Sequence, residues 1–320
     1  MRIVLCYPVE ARHIEQIQAA APGHEIVDAG QERIASEILN ADIFCGHAKV
    51  PMPWPEVVKA GRLTWIQSSA AGLDHCLTPE VIASNIPVTS ASGVLADQVT
   101  EHAVALITAF GRSLPTFFRA QGKKEFIRRP TRDLHHSTVG IVGFGGVGRR
   151  MAEVLQVFKT RILAVDYYPI RKPDYVERLV PPEQLAEILP EVDILIMSAP
   201  LTDKTRGMIN SKMLGLMKPT ALVANMGRGP LVVERDLVEA LEARQIAGAV
   251  MDVTEIEPLP PTSKLWDMPN VIITPHVAGQ SARRIDQMTD FFCENLRRRF
   301  AGEPLVNLVD KRLGFPQPQN

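Results

Sequence analysis

Cysteine is scarce in this chain: of 320 residues only four are cysteine, Cys6, Cys45, Cys76 and Cys293, and each stands alone. That spacing offers neither a zinc knuckle nor a CxxC redox pair, so no metal site is expected and the thiols read as reduced and mostly buried. No apolar run approaches the roughly 20 residues needed to cross a bilayer. The chain opens directly on strand-like residues 1–5, so a cytoplasmic protein with no membrane partner is expected. An excess of charge is missing too. The formal net charge is -1, with Lys and Arg spread along the chain, which leaves no electrostatic footprint for nucleic acid or an anionic lipid surface. No internal repeat or low-complexity tract is visible, and Ser, Gln and Gly are too few for long disorder.

What remains is globular composition, 46% apolar and 22% charged, in a chain longer than one hydrophobic core usually organises. Short apolar runs at 3–6, 41–45, 64–67 and 88–89 alternate with helix-period segments, and a longer series follows at 138–143, 161–166, 193–198, 221–225, 247–251 and 271–274. Strand–helix alternation of this kind specifies parallel sheet and an α/β fold. Between the two series, Val99, Ala103, Val104, Leu106, Ile107 and Phe110 form one apolar helical stripe over 96–112, and Ile285, Met288, Phe292, Leu296 and Phe300 repeat likewise over 281–301. Two Rossmann-like or flavodoxin-like lobes are therefore expected, each with a parallel sheet, joined by two linking helices with a cleft between them. The boundaries would be 1–100 plus 288–320 for one, discontinuous domain and 101–287 for the other. Pro51, Pro53 and Pro55 predict a stiff loop around Trp54 that could rim the cleft.

The most specific local signal is Gly143-Phe144-Gly145-Gly146-Val147-Gly148, set between a strand and a helix. Gly143 permits the tight turn, Gly145 lets backbone approach a pyrophosphate, and Gly148 allows close helix-on-strand packing. The helix N-terminus adds free N–H donors for phosphate. Asp166 closes the next strand, where a carboxylate accepts from both ribose hydroxyls and repels a 2'-phosphate. NAD is expected rather than NADP, although Arg171 and Lys172 lie close by in sequence. Three later strands end on chemistry-bearing loops. Arg228, between Gly227 and Gly229, suits a carboxylate; the loop after 251 delivers Asp252, Glu255 and Glu257; His276 occupies a proton donor's position. Each also has an ordinary alternative: a surface ion pair for Arg228, a solvated acid for Glu257, a histidine satisfied by backbone for His276. His47, His75 and His102 read more simply as surface or core histidines than as ligands.

At these residues the chain resembles the D-isomer-specific 2-hydroxyacid dehydrogenase family, the group that includes glyoxylate/hydroxypyruvate reductases and phosphoglycerate dehydrogenases. The blocks that carry the resemblance are 138–148 with Asp166, 193–205, 217–232 around Arg228, 251–259 and 274–279, together with the substrate-lobe stretch 67–75. The resemblance implies interconversion of a small 2-oxo acid and a D-2-hydroxy acid, with glyoxylate and hydroxypyruvate types favoured. It implies a catalytic triad of Arg228, Glu257 and His276, and cofactor contacts from Gly143, Gly145, Gly146, Val147, Gly148, Asp166, Ala199, Pro200, Thr205, Met226, Gly227, Arg228, Asp252, His276 and Gly279. It assigns substrate contacts to Ala70, Ala71, Gly72, Arg228 and His276, and a homodimer built on the nucleotide lobe. In these roles Arg228 pairs with the substrate carboxylate, His276 donates the proton, Glu257 fixes the tautomer of His276, and Asp252 accepts from the nicotinamide carboxamide. Ser198 stands where several family members have histidine, outside the triad. Two other readings share the same residues: a phosphite- or formate-type dehydrogenase of the same fold, with Glu257 arguing against the formate type, and an NAD-sensing corepressor that retains the fold.

Overall fold

The computed structural model describes residues 1–168 and 171–317. The last three positions of the 288–320 segment lie outside the described residues. The chain forms two compact units, Met1–Leu95 with Ser281–Asn320, and Ala96–Gln280.

In the first unit, strands β1 (Arg2–Cys6), β2 (Glu25–Asp28), β3 (Ile43–Gly46), β4 (Trp65–Ser68) and β5 (Val88–Thr89) alternate with helices α1 (Ala11–Ala20), α2 (Gly30–Glu37), α3 (Trp54–Ala60) and α4 (Pro79–Ala83). The strands pair in parallel in the order β2-β1-β3-β4-β5. Because β1 and β3 are buried on both faces, they read as near-continuous apolar runs rather than alternating ones. The edge strand β2 is half exposed and carries Glu25 and Asp28. Its polar ends give it no continuous apolar run in the sequence. Trp54 corrects the expected loop: it begins α3, where Pro55 fits because a first-turn proline has no N–H to satisfy, and its ring is buried.

The second unit opens with α5 (Ala96–Gly111) and α6 (Leu114–Gly122). It continues through β6 (Thr138–Val142), α7 (Gly146–Leu155), β7 (Arg161–Val165), β8 (Arg178–Val180), α8 (Leu185–Ile188), β9 (Ile194–Met197), α9 (Ser211–Leu214), β10 (Leu222–Asn225), α10 (Glu234–Glu242), β11 (Gly248–Met251) and β12 (Val271–Ile273). All seven strands run parallel in the order β12-β11-β10-β9-β6-β7-β8. The order reverses about β6, the arrangement in which a parallel sheet opens a ligand crevice at its carboxyl edge. Two apolar layers cover the two faces, one around Leu195, Val223 and Leu237, the other around Ile141, Ile196 and Met151. Strand β8, a three-residue edge strand of intermediate burial, is the second strand that the apolar pattern did not reveal.

The chain then returns to the first unit through α11 (Arg284–Ala301), whose Met288, Phe292 and Leu296 are buried while Phe300 is partly exposed. All four cysteines are free and buried. Burial pushes the thiols of Cys6 and Cys293 up to about 11 and that of Cys76 to about 12, as expected where an apolar environment disfavours the thiolate. Among the described residues no helix is long and apolar enough to cross a membrane, and no group of three or more His, Cys, Asp and Glu side chains could hold a metal.

Candidate active site

The register of the larger sheet determines where functional side chains emerge. Val142 of β6 pairs with Val165 of β7 and with Met197 of β9; Met197 pairs with Asn225 of β10, which pairs with Met251 of β11, which pairs with Ile273 of β12. The turns following these residues therefore lie side by side along one carboxyl edge. Asp166, the glycine turn, Ala199, Arg228, Asp252 with Glu257, and His276 all leave from that edge.

Three glycines of the turn have three different reasons. Gly143 has φ +92, and a side chain there would put its Cβ 2.5 Å from the Ala199 nitrogen. A Cβ at Gly148 would lie 2.0 Å from the Gly143 carbonyl oxygen. Gly145, at φ -76, has an ordinary backbone, and a Cβ there would meet nothing within 4 Å. Space is therefore left over Gly145 that the fold itself does not fill. The turn is tied from two sides: Ser198 Oγ donates to the Gly143 carbonyl at 2.7 Å, and the Phe144 N–H donates to Asp166 Oδ2 at 2.5 Å. Asp166 Oδ1 accepts the Tyr168 N–H at 3.0 Å. Helix α7 starts at Gly146, and Arg149 N–H makes its first intrahelical bond, to the Gly145 carbonyl. The N–H groups of Gly146, Val147 and Gly148 have no intrahelical acceptor, which makes this end an anion seat. An open shelf over Gly145, a helix N-terminus and an acid at the end of β7 fit the pyrophosphate and adenosine ribose of a nicotinamide dinucleotide.

Along the edge, Ala199 is buried, and Thr205 Oγ1 donates to the Pro200 carbonyl at 2.7 Å and closes that loop. After β10, the fully buried Asn225 clamps the next turn, donating to the Arg228 carbonyl at 2.9 Å and accepting the Gly227 N–H at 3.1 Å. Met226 and Gly227 are buried as well. At Gly229 a Cβ would come within 1.8 Å of the Thr254 carbonyl, so the Arg228 turn and the loop after β11 press backbone to backbone. Arg228 itself is half buried.

The loop after β11 supplies the acids. Glu257 Oε1 accepts the Thr254 N–H at 3.1 Å, and Oε2 lies 2.7 Å from His276 Nδ1. Glu255 turns elsewhere, accepting the Glu234 N–H at 3.0 Å at the start of α10. Asp252 is 2% exposed, and its carboxylate accepts the Thr274 hydroxyl at 2.6 Å and the N–H groups of Val277 and Ala278, each at 2.9 Å. It thereby holds the segment that carries His276, a duty invisible in its sequence position. His276 has φ +55 and donates its own N–H to the Asp252 carbonyl at 2.7 Å. A left-handed, non-glycine residue costs backbone energy and persists only where its surroundings over-determine it, which these bonds do. Gly279 lies in the turn closed by Gln280 N–H on the Val277 carbonyl. The ring of His276 stays half exposed.

Ala70, Ala71 and Gly72 follow β4 in the first unit. Ser68 Oγ accepts the Ala70 N–H at 3.0 Å, and Ala71 is exposed. His102, which reads from sequence as an ordinary surface or core histidine, comes up against this loop: its Nε2 sits 2.9 Å from Thr274 Oγ1 and 3.4 Å from Asp252 Oδ1.

The D-isomer specific 2-hydroxyacid dehydrogenase family, through its NAD binding domain, matches residues 104–278 of this chain. The chain belongs to that family. It is 35% identical over 265 residues to a glyoxylate reductase of Thermofilum pendens, a match covering 79% of this chain and 77% of the relative. A D-isomer specific 2-hydroxyacid dehydrogenase from Xanthobacter autotrophicus, solved in complex with NADPH and MES, superposes with a TM-score of 0.84 at 28% identity, covering 98% of this chain and 99% of that one. An NADPH-dependent glyoxylate/hydroxypyruvate reductase from Sinorhizobium meliloti, solved with NADP and sulfate, does so with a TM-score of 0.83 at 27% identity and the same coverage. The protein is accordingly an oxidoreductase, a 2-hydroxyacid dehydrogenase of two parallel-sheet α/β domains.

Proposed function

We propose that this dehydrogenase reduces a small 2-oxo acid of the glyoxylate or hydroxypyruvate type to its D-2-hydroxy acid with NADH, using Arg228, His276 and Glu257. The observation that carries the reading is the 2.7 Å contact of His276 Nδ1 with Glu257 Oε2, on loops that leave adjacent strands next to the Arg228 turn. A nicotinamide dinucleotide, when bound, supplies the hydride. Gly143, Gly145, Gly146, Val147 and Gly148 would hold its phosphates, Asp166 the ribose, and Ala199, Pro200, Thr205, Met226, Gly227, Asp252 and Gly279 the remaining edge of the seat.

Arg228 pairs with the substrate carboxylate and, by fixing it, presents one face of the carbonyl. Glu257 accepts from His276 Nδ1 and so leaves Nε2 as the atom that moves a proton. In reduction that nitrogen donates to the carbonyl oxygen as it becomes an alkoxide, and in oxidation it takes the hydroxyl proton back. General-acid help of this kind is typically worth 10²- to 10⁴-fold. The loop at Ala70, Ala71 and Gly72 keeps its assignment to the substrate carboxylate on its sequence alone, with the first unit as the substrate-binding domain.

NADPH is the competing cofactor, motivated by the bound relatives and by Arg171 and Lys172. Against it stand the carboxylate of Asp166 and the engagement of Lys172 Nζ with the Val176 carbonyl at 2.7 Å. We read the protein as cytoplasmic, in line with its free buried thiols. We also read it as a homodimer through the nucleotide domain, where Phe118 and Phe126 are 63% and 97% exposed. The decisive experiment follows NADH and NADPH consumption with glyoxylate, hydroxypyruvate, pyruvate and bulkier 2-oxo acids, with phosphite and formate tested against NAD. Turnover of phosphite or formate alone, or nucleotide binding with no turnover at all, would replace the proposal with one of the alternatives.

A further inference from the structure

The segment 274–278 carries the proposed acid, His276, and is held by a short relay from outside its own strand. Thr274 Oγ1 has one proton, which it donates to Asp252 Oδ1 at 2.6 Å. Its lone pair therefore has to accept from the imidazole 2.9 Å away, which fixes a proton on His102 Nε2. The same nitrogen is 3.4 Å from Asp252 Oδ1. Asp252 in turn accepts Val277 and Ala278 N–H through its side chain and His276 N–H through its carbonyl. His102 sits on α5 and Asp252 and Thr274 on loops after β11 and β12, so three elements meet at one buried carboxylate. His102 is 22% exposed and Asp252 2%, so the relay lies largely out of water, where hydrogen bonds to a charged group are at their strongest.

We propose that His102 is a positioning residue for the reaction: its Nε2–H, acting through Thr274 and Asp252, locks the left-handed conformation of His276. In this role His102 works through Thr274 and Asp252 and not on the reacting atoms. It acts by orienting the hydroxyl of Thr274, which leaves both Asp252 oxygens pointing at the backbone of 277 and 278. Without the imidazole donor, that hydroxyl is free to rotate away and the strained segment loses a restraint. The inference rests on the reading of His276 as the acid, and the experiment separates the two.

The test uses the full-length enzyme with His102→Leu, which removes the donor, His102→Gln, whose amide nitrogen can replace Nε2–H, and Thr274→Val, which keeps shape without the hydroxyl. His102→Leu and Thr274→Val should each lower kcat about tenfold, the upper end of what one hydrogen bond is worth, with KM for NADH changed less than about twofold. The double variant should be no worse than either alone, as for residues in one chain. His102→Gln should recover most of the loss. Amide hydrogen exchange at Val277 and Ala278, read without cofactor or substrate, should speed up in His102→Leu and return in His102→Gln. Parental kinetics and exchange in His102→Leu overturn the proposal. Loss in both His102 variants alike also overturns it, because packing rather than the donor would then be at work. If His276→Ala left turnover intact, the reading of the acid would fail, while the exchange data would still decide whether His102 holds the segment.

Discussion

Glu257 grips His276 with one oxygen and its own loop with the other: Oε2 lies 2.7 Å from His276 Nδ1 while Oε1 accepts the Thr254 N–H at 3.1 Å. The carboxylate is thus anchored to backbone before it meets the imidazole. Side chains that act as one unit give non-additive losses. His276→Ala should lower kcat by about 10²- to 10⁴-fold with NADH affinity nearly unchanged. Glu257→Gln should cost less, because the amide oxygen can still accept from Nδ1. The double variant should be about as slow as His276→Ala alone. Steady-state kinetics with NADH titrations checks this, and multiplied losses in the double variant would show that the two residues work separately.

Gly145 offers a cleaner probe of nucleotide binding than its neighbours. Its backbone is one that any residue adopts, and a methyl there meets no protein atom within 4 Å. Gly145→Ala should therefore leave the melting temperature within a few degrees of the parent while weakening NADH binding about tenfold or more, because the methyl occupies space that the pyrophosphate needs. Gly148→Ala forces a contact of 2.0 Å with the Gly143 carbonyl. It should destabilise the protein itself, by about 1–3 kcal/mol or more on the scale of overpacked sites. Calorimetry of both variants with and without NADH distinguishes the effects. Equal affinity in Gly145→Ala and the parent would remove the pyrophosphate from this turn.

Asp166 holds the turn through Phe144 N–H and Tyr168 N–H. In the proposed role its charge would also repel a 2'-phosphate. Asp166→Asn keeps one oxygen for the turn and deletes the charge. The ratio of kcat/KM for NADH over NADPH should fall about tenfold or more, the usual scale for one like-charge contact removed. A ratio that stays put would take Asp166 out of cofactor choice and leave it a turn-holding acid.

How legible was this in the amino-acid order? Buried parallel strands announce themselves as apolar runs, so ten of the strands in the two sheets were visible. The two that were not, Glu25–Asp28 and Arg178–Val180, are edge strands in which exposure lets polar residues in. His276, Glu257 and Asp166 could be singled out because strand ends followed by glycine or proline mark themselves. His102 could not, because its partners lie 172 and 150 residues away and a histidine inside a helix carries no local sign of them. Trp54 misled for a related reason: three prolines in five residues look like a loop, yet one at the first turn starts a helix.

His75 gives the fold of the first unit a pH dependence that has nothing to do with catalysis. Its ring stacks on His47 with centroids 4.1 Å apart, its carbonyl accepts the Trp54 indole N–H at 3.2 Å, and its Nε2 is buried with no hydrogen-bond partner among the described residues. Burial, with His47 adding to it, pushes the imidazole down to about 3. In the unfolded chain a histidine titrates near 6.5. Above that pH both states are neutral and His75 contributes no slope. Below it the unfolded chain takes up a proton that the folded one refuses until about 3, so stability falls as the pH drops through that window, by about 1.4 kcal/mol per pH unit from this group. His75→Phe keeps a ring against His47 and cannot titrate. Urea unfolding at pH 7 and pH 5 should therefore show a smaller loss for the variant than for the parent, by about one proton's slope. Parallel losses in both proteins would mean that His75 takes up its proton without leaving its place in the fold.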